Sequence, residues 1–219
     1  MKSETLHYET VTPLLLSVLR EVMACPLFDP FRLVGGTALS LQCGHRMSDD
    51  IDLFADAVYG ALDFKAMQEW LYARFPYCTG DCDESVGFGT SYIVGSDRYH
   101  NVKVDLFYTD PFIKPAVQVD DIRLTDLVDI VAMKLDVVAT GGRKKDFWDL
   151  HELHSRYTLS QMLTWYEERN PYTADRAKTI TQLTDFARAD ADVDPRCLKN
   201  KVWPLIKLDM VDWVRAELG

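Results

Sequence analysis

Leu14, Leu15, Val18, Leu19 and Val22 recur at helical spacing, so the stretch from Glu9 to Met23 is expected as a helix. Pro13 suits its first turn, and Pro26 and Pro30 close it off. The period then changes. Leu33-Val34 is a short apolar run and Gly35-Gly36 a turn. A helix starting near Thr37 must be short, because Gly44 follows soon after. Asp50-Ile51-Asp52-Leu53-Phe54 alternates as a strand does. After a turn-rich loop, Phe64, Met67, Leu71 and Phe75, with Trp70 beside them, return to the helical period. Ser85 to Tyr108 reads as a hairpin. Val86, Phe88 and Tyr92-Ile93-Val94 form one strand, Gly95-Ser96-Asp97 the turn, and His100 to Tyr108 the return. On the return strand Val102, Val104 and Leu106 share one face, and Lys103, Asp105 and Phe107 the other.

Pro111, Pro115 and Asp120-Asp121 mark a loop or edge strand, and a domain boundary is placed near residue 120. Beyond it the pattern is helical. Thr125 is a candidate cap for a helix from Asp126 to about Thr140, stopped by Gly141-Gly142. Further helices are expected over Asp146 to Arg156, Leu159 to Asn170 and Thr173 to Ala189. Another, over Val202 to Leu218, is expected to break at Pro204. The predicted class is α+β: a mixed sheet with flanking helices over 1–120, then a helical bundle over 121–219.

The 219 residues suffice for one large domain or two small ones. A formal net charge of -10 argues against a surface coated for nucleic acid, while leaving room for a local basic patch. No stretch approaches the roughly 20 apolar residues of a membrane span, and Met1 to Thr5 lack a leader pattern. The five scattered cysteines lack zinc-site spacing and fit a reducing cytoplasm.

Candidate chemistry collects in two places. Asp50 and Asp52 lie two apart on a strand and point the same way, so they can grip one hard cation; without compensation, two adjacent carboxylates repel. The Gly35-Gly36 turn lets backbone N–H groups approach an anion at the start of the next helix. Together they make a phosphate cradle and a divalent-metal clamp, the needs of a nucleoside triphosphate site. Asp105 is either an acid on a solvated face beside Lys103 or a third carboxylate of that clamp. The second place begins with Lys134, on the apolar stripe of its helix. A lysine there snorkels to the edge or meets an anion. Arg143-Lys144-Lys145 then concentrates cations ahead of Asp146-Phe147-Trp148-Asp149, as a solvated turn with helix caps or as a phosphate grip.

Gly35-Gly36-Thr37-Ala38-Leu39, followed by His45-Arg46-x-Ser48-x-Asp50-Ile51-Asp52, resembles the polymerase-beta-like nucleotidyltransferases. Within them it is most similar to the AbiEii/AbiGii-type toxin family, which includes the mycobacterial MenT toxins. Lys134 and Lys145-Asp146-Phe147-Trp148-Asp149 match that family's later lysine and its basic, Asp-x-x-Asp signature. The likeness covers roughly Arg32 to Leu150. It departs at Gly141, where relatives commonly carry arginine and where Arg143 is the nearest substitute.

The resemblance implies a catalytic set of Asp50, Asp52, Asp105, Lys134 and Asp146. The three strand acids would bind Mg2+ or Mn2+, with Asp105 on the nucleophile side. Gly35, Gly36 and Thr37 would hold the β- and γ-phosphates. Arg46 and Ser48 would touch phosphate or brace the aspartates. Lys134 would neutralise the triphosphate, Asp146 would orient that lysine or the incoming hydroxyl, and Arg143 and Lys145 would join the nucleotide grip. His45 is read as a structural hydrogen-bonder. The expected reaction moves a nucleoside monophosphate from a triphosphate to an acceptor hydroxyl on RNA, a tRNA 3′ end in particular. The chain would then be a cytoplasmic toxin with a cognate antitoxin. Arg143-Lys144-Lys145 and Arg196, Lys199, Lys201 and Lys207 are the candidate RNA contacts. Two alternatives stay open: a small-molecule nucleotidyltransferase, and a catalytically silent module that binds nucleotide, RNA or a protein partner.

Overall fold

The computed structural model describes residues 5–82 and 87–219. Ser85 and Val86, assigned above to a hairpin strand, lie outside the described residues. The chain divides into two compact units. The first comprises Met1–Gln42, Ser48–Pro111 and Pro115–Thr125; the second comprises Cys43–Met47, Phe112–Lys114 and Asp126–Gly219. Among the described residues no helix is long and apolar enough to cross a membrane.

The first unit holds a seven-stranded mixed sheet. Its strands are β1 (Arg32–Leu33), β2 (Asp50–Ala55), β3 (Tyr77–Thr79), β4 (Gly89–Gly95), β5 (Asn101–Tyr108), β6 (Val117–Val119) and β7 (Ile122–Leu124), in the order β3-β4-β5-β2-β1-β7-β6. The β2–β5 and β1–β7 pairs are parallel and the others antiparallel. Period-2 alternation sorts the strand side chains. Ile51, Leu53, Tyr92, Val94, Val102, Val104 and Leu106 are buried. They pack with α1 (Pro13–Ala24) and α3 (Phe64–Arg74), through Leu15, Val18 and Leu19 on one helix and Met67 and Leu71 on the other. Each such side chain contributes about 1.5–3 kcal/mol through burial.

Helix α1 starts later than its apolar period suggests. Thr12 caps it by accepting from the Leu15 N–H at 3.1 Å, and Pro13 fills the first position, where no N–H is needed. Residues Tyr8–Thr10 form a separate 3-10 turn. Helix α2 (Gly35–Cys43) is short, as its flanking glycines require, but it takes both Gly35 and Gly36 into its first turn. The edge pair β6–β7 turns at Asp120 and Asp121, both with positive φ, which aspartate tolerates better than most residues.

The second unit is built from α4 (Leu127–Ala139), α5 (Lys144–His154), α6 (Leu159–Arg169), α7 (Arg176–Gln182) and α8 (Trp203–Leu218). Helix α4 packs with α5, α6 and α7, and α8 with α5 and α6. Asp126, not Thr125, caps α4, accepting from the Val128 N–H at 2.8 Å. The Thr125 backbone belongs to the sheet, its N–H donating to the Leu33 carbonyl at 2.9 Å. Pro204 does not break the last helix. It sits in the first turn of α8, where its missing N–H has no role. Helix α7 is shorter than its apolar spacing suggested. Asp175 caps it late, and the Thr181 and Thr184 hydroxyls bond backbone carbonyls near its end (3.0 and 3.1 Å), offering the chain a non-helical exit.

Candidate active site

The residues singled out from the sequence fall into two groups, one in each unit. In the sheet unit, β2 places Asp50 and Asp52 on the same face. The parallel register with β5 sets Asp50 beside Lys103, Asp52 beside Asp105 and Phe54 beside Phe107. Three carboxylates and one ammonium therefore share a patch of sheet opposite the apolar face. The Lys103 Nζ lies 2.6 Å from Asp105 Oδ2. That bond, with the charges of Asp105, Asp50 and Asp52, holds the Lys103 ammonium above the usual lysine range against a smaller opposing effect of burial. Asp105 Oδ1 is buried without a hydrogen-bond partner.

The α2 turn closes on this patch. The Val34 N–H donates to the Asp52 carbonyl at 2.9 Å. Gly35 has φ +67°, which favours glycine, and a Cβ there would lie 2.6 Å from Asp52 Oδ2, so any other residue would also push that carboxylate aside. The buried Thr37 hydroxyl lies 2.8 Å from Ser48 Oγ and bonds the Asp50 carbonyl. Thr37 and Ser48 thus tie α2 to the start of β2. Gly35→Ala is expected to cost about 1–2 kcal/mol from left-handed backbone strain alone, and more as the Asp52 carboxylate turns aside. Thermal denaturation would show it as a melting temperature lower by several degrees.

As the side chains stand, no group of three or more His, Cys, Asp or Glu among the described residues converges to hold a metal ion. Asp105 is turned onto Lys103. The donor set still suits a hard divalent cation. It is all carboxylate oxygen, carries three negative charges on one patch, and includes a buried oxygen lacking a partner.

The helical unit contains a buried ionic cluster centred on Asp149. Arg46 reaches it with Nε at 2.6 Å and Nη2 at 2.8 Å, His45 Nε2 with 2.8 Å, and Lys134 Nζ with 2.7 Å. Lys134 also donates to Asp146 Oδ1 at 2.7 Å, and the Arg143 N–H to Asp146 Oδ2 at 3.0 Å. Of the two readings of Lys134 on its apolar stripe, snorkelling to the edge or meeting an anion, the second holds: Asp146 and Asp149 supply the anion within this unit. Burial alone would lower the Lys134 pKa, but the two aspartates raise it, so it stays charged. Burial alone would raise Asp149, yet Lys134 and Arg46 hold it well below the usual carboxylate range. Asp146 is lowered too: burial would raise it, and Lys134 outweighs that. His45 is pushed down by burial more than Asp149 lifts it, so it is neutral at pH 7 and donates through Nε2.

Arg46 was expected to touch phosphate or one of its sequence-adjacent acids; its guanidinium meets an aspartate 103 positions away. The basic run is also divided. Lys144 is buried, with Nζ 2.9 Å from Asp194, whereas the Arg143 side chain is 54% exposed and lies near Asp146. Lys199 and Lys201 each bond Glu152 at 2.6 Å, and Lys207 bonds Asp190 at 2.8 Å. Much of the cationic charge proposed for RNA is thus matched by neighbouring acids. The sequence reading missed Asp149 as a hub. It also missed Asp129, fully buried in α4, which accepts from the Ile113 and Lys114 N–H groups (2.7 and 2.9 Å) and pairs with Arg169 at 3.4 Å. An acid in the first turn of an apolar helix was the available signal for the second.

The cluster fixes an acid response. His45, Asp146 and Asp149 all have lowered folded-state values, so the unfolded chain binds protons first as pH falls. Stability then decreases with acidification. The melting temperature is expected to be level above about pH 7, to decline below the unfolded histidine value of about 6.5 and to fall steeply below about pH 4. Circular-dichroism melts from pH 3 to 8 check this.

A patch of strand carboxylates beside a glycine turn that opens a helix has the donor chemistry to hold a metal-bound phosphate. The chain belongs to the AbiEii nucleotidyl transferase toxin family of type IV toxin–antitoxin systems, whose family model matches residues 17–211. The fold is shared with the MenT4 nucleotidyltransferase toxin of Mycobacterium tuberculosis H37Rv (TM-score 0.58, 14% identity, 92% of this chain and 83% of that one). A Helicobacter pylori protein described as a candidate nucleotidyltransferase shares it too (TM-score 0.54, 16% identity, 91% and 92% of the two chains). An uncharacterized protein of Aquifex aeolicus (strain VF5) is 28% identical over 143 residues, 60% of this chain and 61% of its own length.

Proposed function

We propose that this protein transfers a nucleoside monophosphate from a nucleoside triphosphate to a hydroxyl at an RNA 3′ end, that of a tRNA in particular, and that it is the toxin of a pair with a cognate antitoxin. The observation that carries the reading is the register of β2 and β5, which sets Asp50, Asp52 and Asp105 on one face beside the Gly35 turn. The family supports the reaction class and the toxin role.

In this reading the acceptor oxygen attacks the α-phosphorus, the α–β phosphoanhydride bond breaks and pyrophosphate leaves. Asp50, Asp52 and Asp105 would hold Mg2+ or Mn2+, which when bound neutralises phosphate charge and makes the acceptor hydroxyl more acidic. The hydroxyl proton passes to Asp105 Oδ1, the buried oxygen without a partner. Backbone N–H groups of Gly35, Gly36 and Thr37 hold the outer phosphates at the α2 terminus. The Thr37 and Ser48 hydroxyls brace β2. Arg143 and Lys145 meet RNA backbone. The Lys134 and Arg46 charges are matched by Asp146 and Asp149, so these two act by fixing the helical unit.

The test is transfer of label from each α-labelled nucleoside triphosphate to total RNA with Mg2+, using Asp52→Ala as control. Label on a tRNA-sized band that the variant does not produce supports the proposal. Metal-dependent nucleotide binding without labelled RNA shifts the acceptor to a small molecule. Absence of both labelling and nucleotide binding would overturn the enzymatic reading and favour the silent binding module.

A further inference from the structure

Lys134 and Lys103 both stand among acids, and they do so differently. Lys134 has a side chain only 9% exposed and two carboxylates at 2.7 Å, so releasing it would strand buried charge. Lys103 bonds one carboxylate, Asp105, and its side chain is 45% exposed. Its ammonium can swing into water at little cost, because the lysine end of the pair is already half-exposed. It stands in the register row of Asp50, on the same face as the row of Asp52 and Asp105, and the carboxylate it holds is the one whose other oxygen is buried and unpartnered.

We propose that Lys103 is an exchangeable internal counter-cation: it holds Asp105 while the carboxylate patch carries no divalent ion, and it must give up Asp105 for the ion to load. This rests on the proposed metal-dependent transfer and adds a residue that sets the metal requirement. Three carboxylates on one strand pair repel each other, and one ammonium offsets part of that repulsion. A divalent ion offers more charge to the same oxygens and meets a like charge in Lys103. The lysine therefore stabilises the metal-free patch and opposes the ion.

Titration of the whole protein with Mn2+ tests this, with free ion read by electron paramagnetic resonance and melting temperature followed at each concentration. Lys103→Met keeps the stem and removes the charge, and Lys103→Arg keeps the charge. Lys103→Met is expected to bind Mn2+ about fivefold more tightly than wild type, melt lower without metal and gain more from its addition; Lys103→Arg should bind near wild-type strength. Wild type and Lys103→Met binding alike, or Lys103→Met binding more weakly, would overturn the inference while leaving the transferase reading standing. Absence of Mn2+ binding by wild type would overturn both.

Discussion

Asp149→Ala is expected to cost about 3–5 kcal/mol and to lower the melting temperature by roughly 10 °C. The magnitude follows from what the change leaves behind. Asp149 is fully buried and accepts from Arg46, Lys134 and His45. Alanine strands two cations in a space closed to water, with only Asp146 left to face Lys134. Asp149→Asn keeps an acceptor oxygen but loses the charge, and falls between the two. Thermal and urea denaturation measure the effect. A loss under about 1 kcal/mol for Asp149→Ala would show that water or side-chain movement relieves the stranded charges.

At the strand carboxylates activity is expected to fall while stability hardly changes. Asp52→Ala should reduce nucleotidyl transfer by about a thousandfold or more, equivalent to about 4 kcal/mol of lost transition-state stabilisation. Its stability should stay within about 1 kcal/mol of wild type, because removing one of three neighbouring acids relieves repulsion as it removes contacts. Initial rates of label transfer beside a denaturation curve separate the two effects. An Asp52→Ala protein that lost activity only because it unfolded would behave like Asp149→Ala, and the patch would be structural.

Much of the sheet unit can be read from the chain because its signals are local. The alternation in Asp50-Ile51-Asp52-Leu53 and in Val102-Lys103-Val104-Asp105-Leu106 states which side chains share a face, and the observed burial follows it. Gly35 next to Gly36 announces a backbone that other residues resist, and its φ is positive. The helical unit was legible as helices but not as a cluster. The partners of Asp149 lie 103 and 104 positions away in His45 and Arg46, and no periodicity encodes a pairing at that separation. Lys134 on an apolar stripe left open whether it snorkels out or meets an anion; that it meets two aspartates depended on the packing of α4 with α5. Pro204 was misread because proline breaks a helix interior yet suits a first turn, and the start of α8 carries no side-chain cap to mark it. Lys103 was visible beside Asp105, but its place in the row of Asp50 depended on strand pairing.

The helical unit is not one run of sequence. It takes in Cys43–Met47, whose backbone bonds Arg196 and Leu198, and Phe112–Lys114, pinned by Asp129, besides everything from Asp126 onward. A gene rearrangement that cut at residue 126 would carry off the helices while leaving His45 and Arg46 behind, together with the 112–114 segment that Asp129 holds. Such a unit cannot travel between proteins as a cassette.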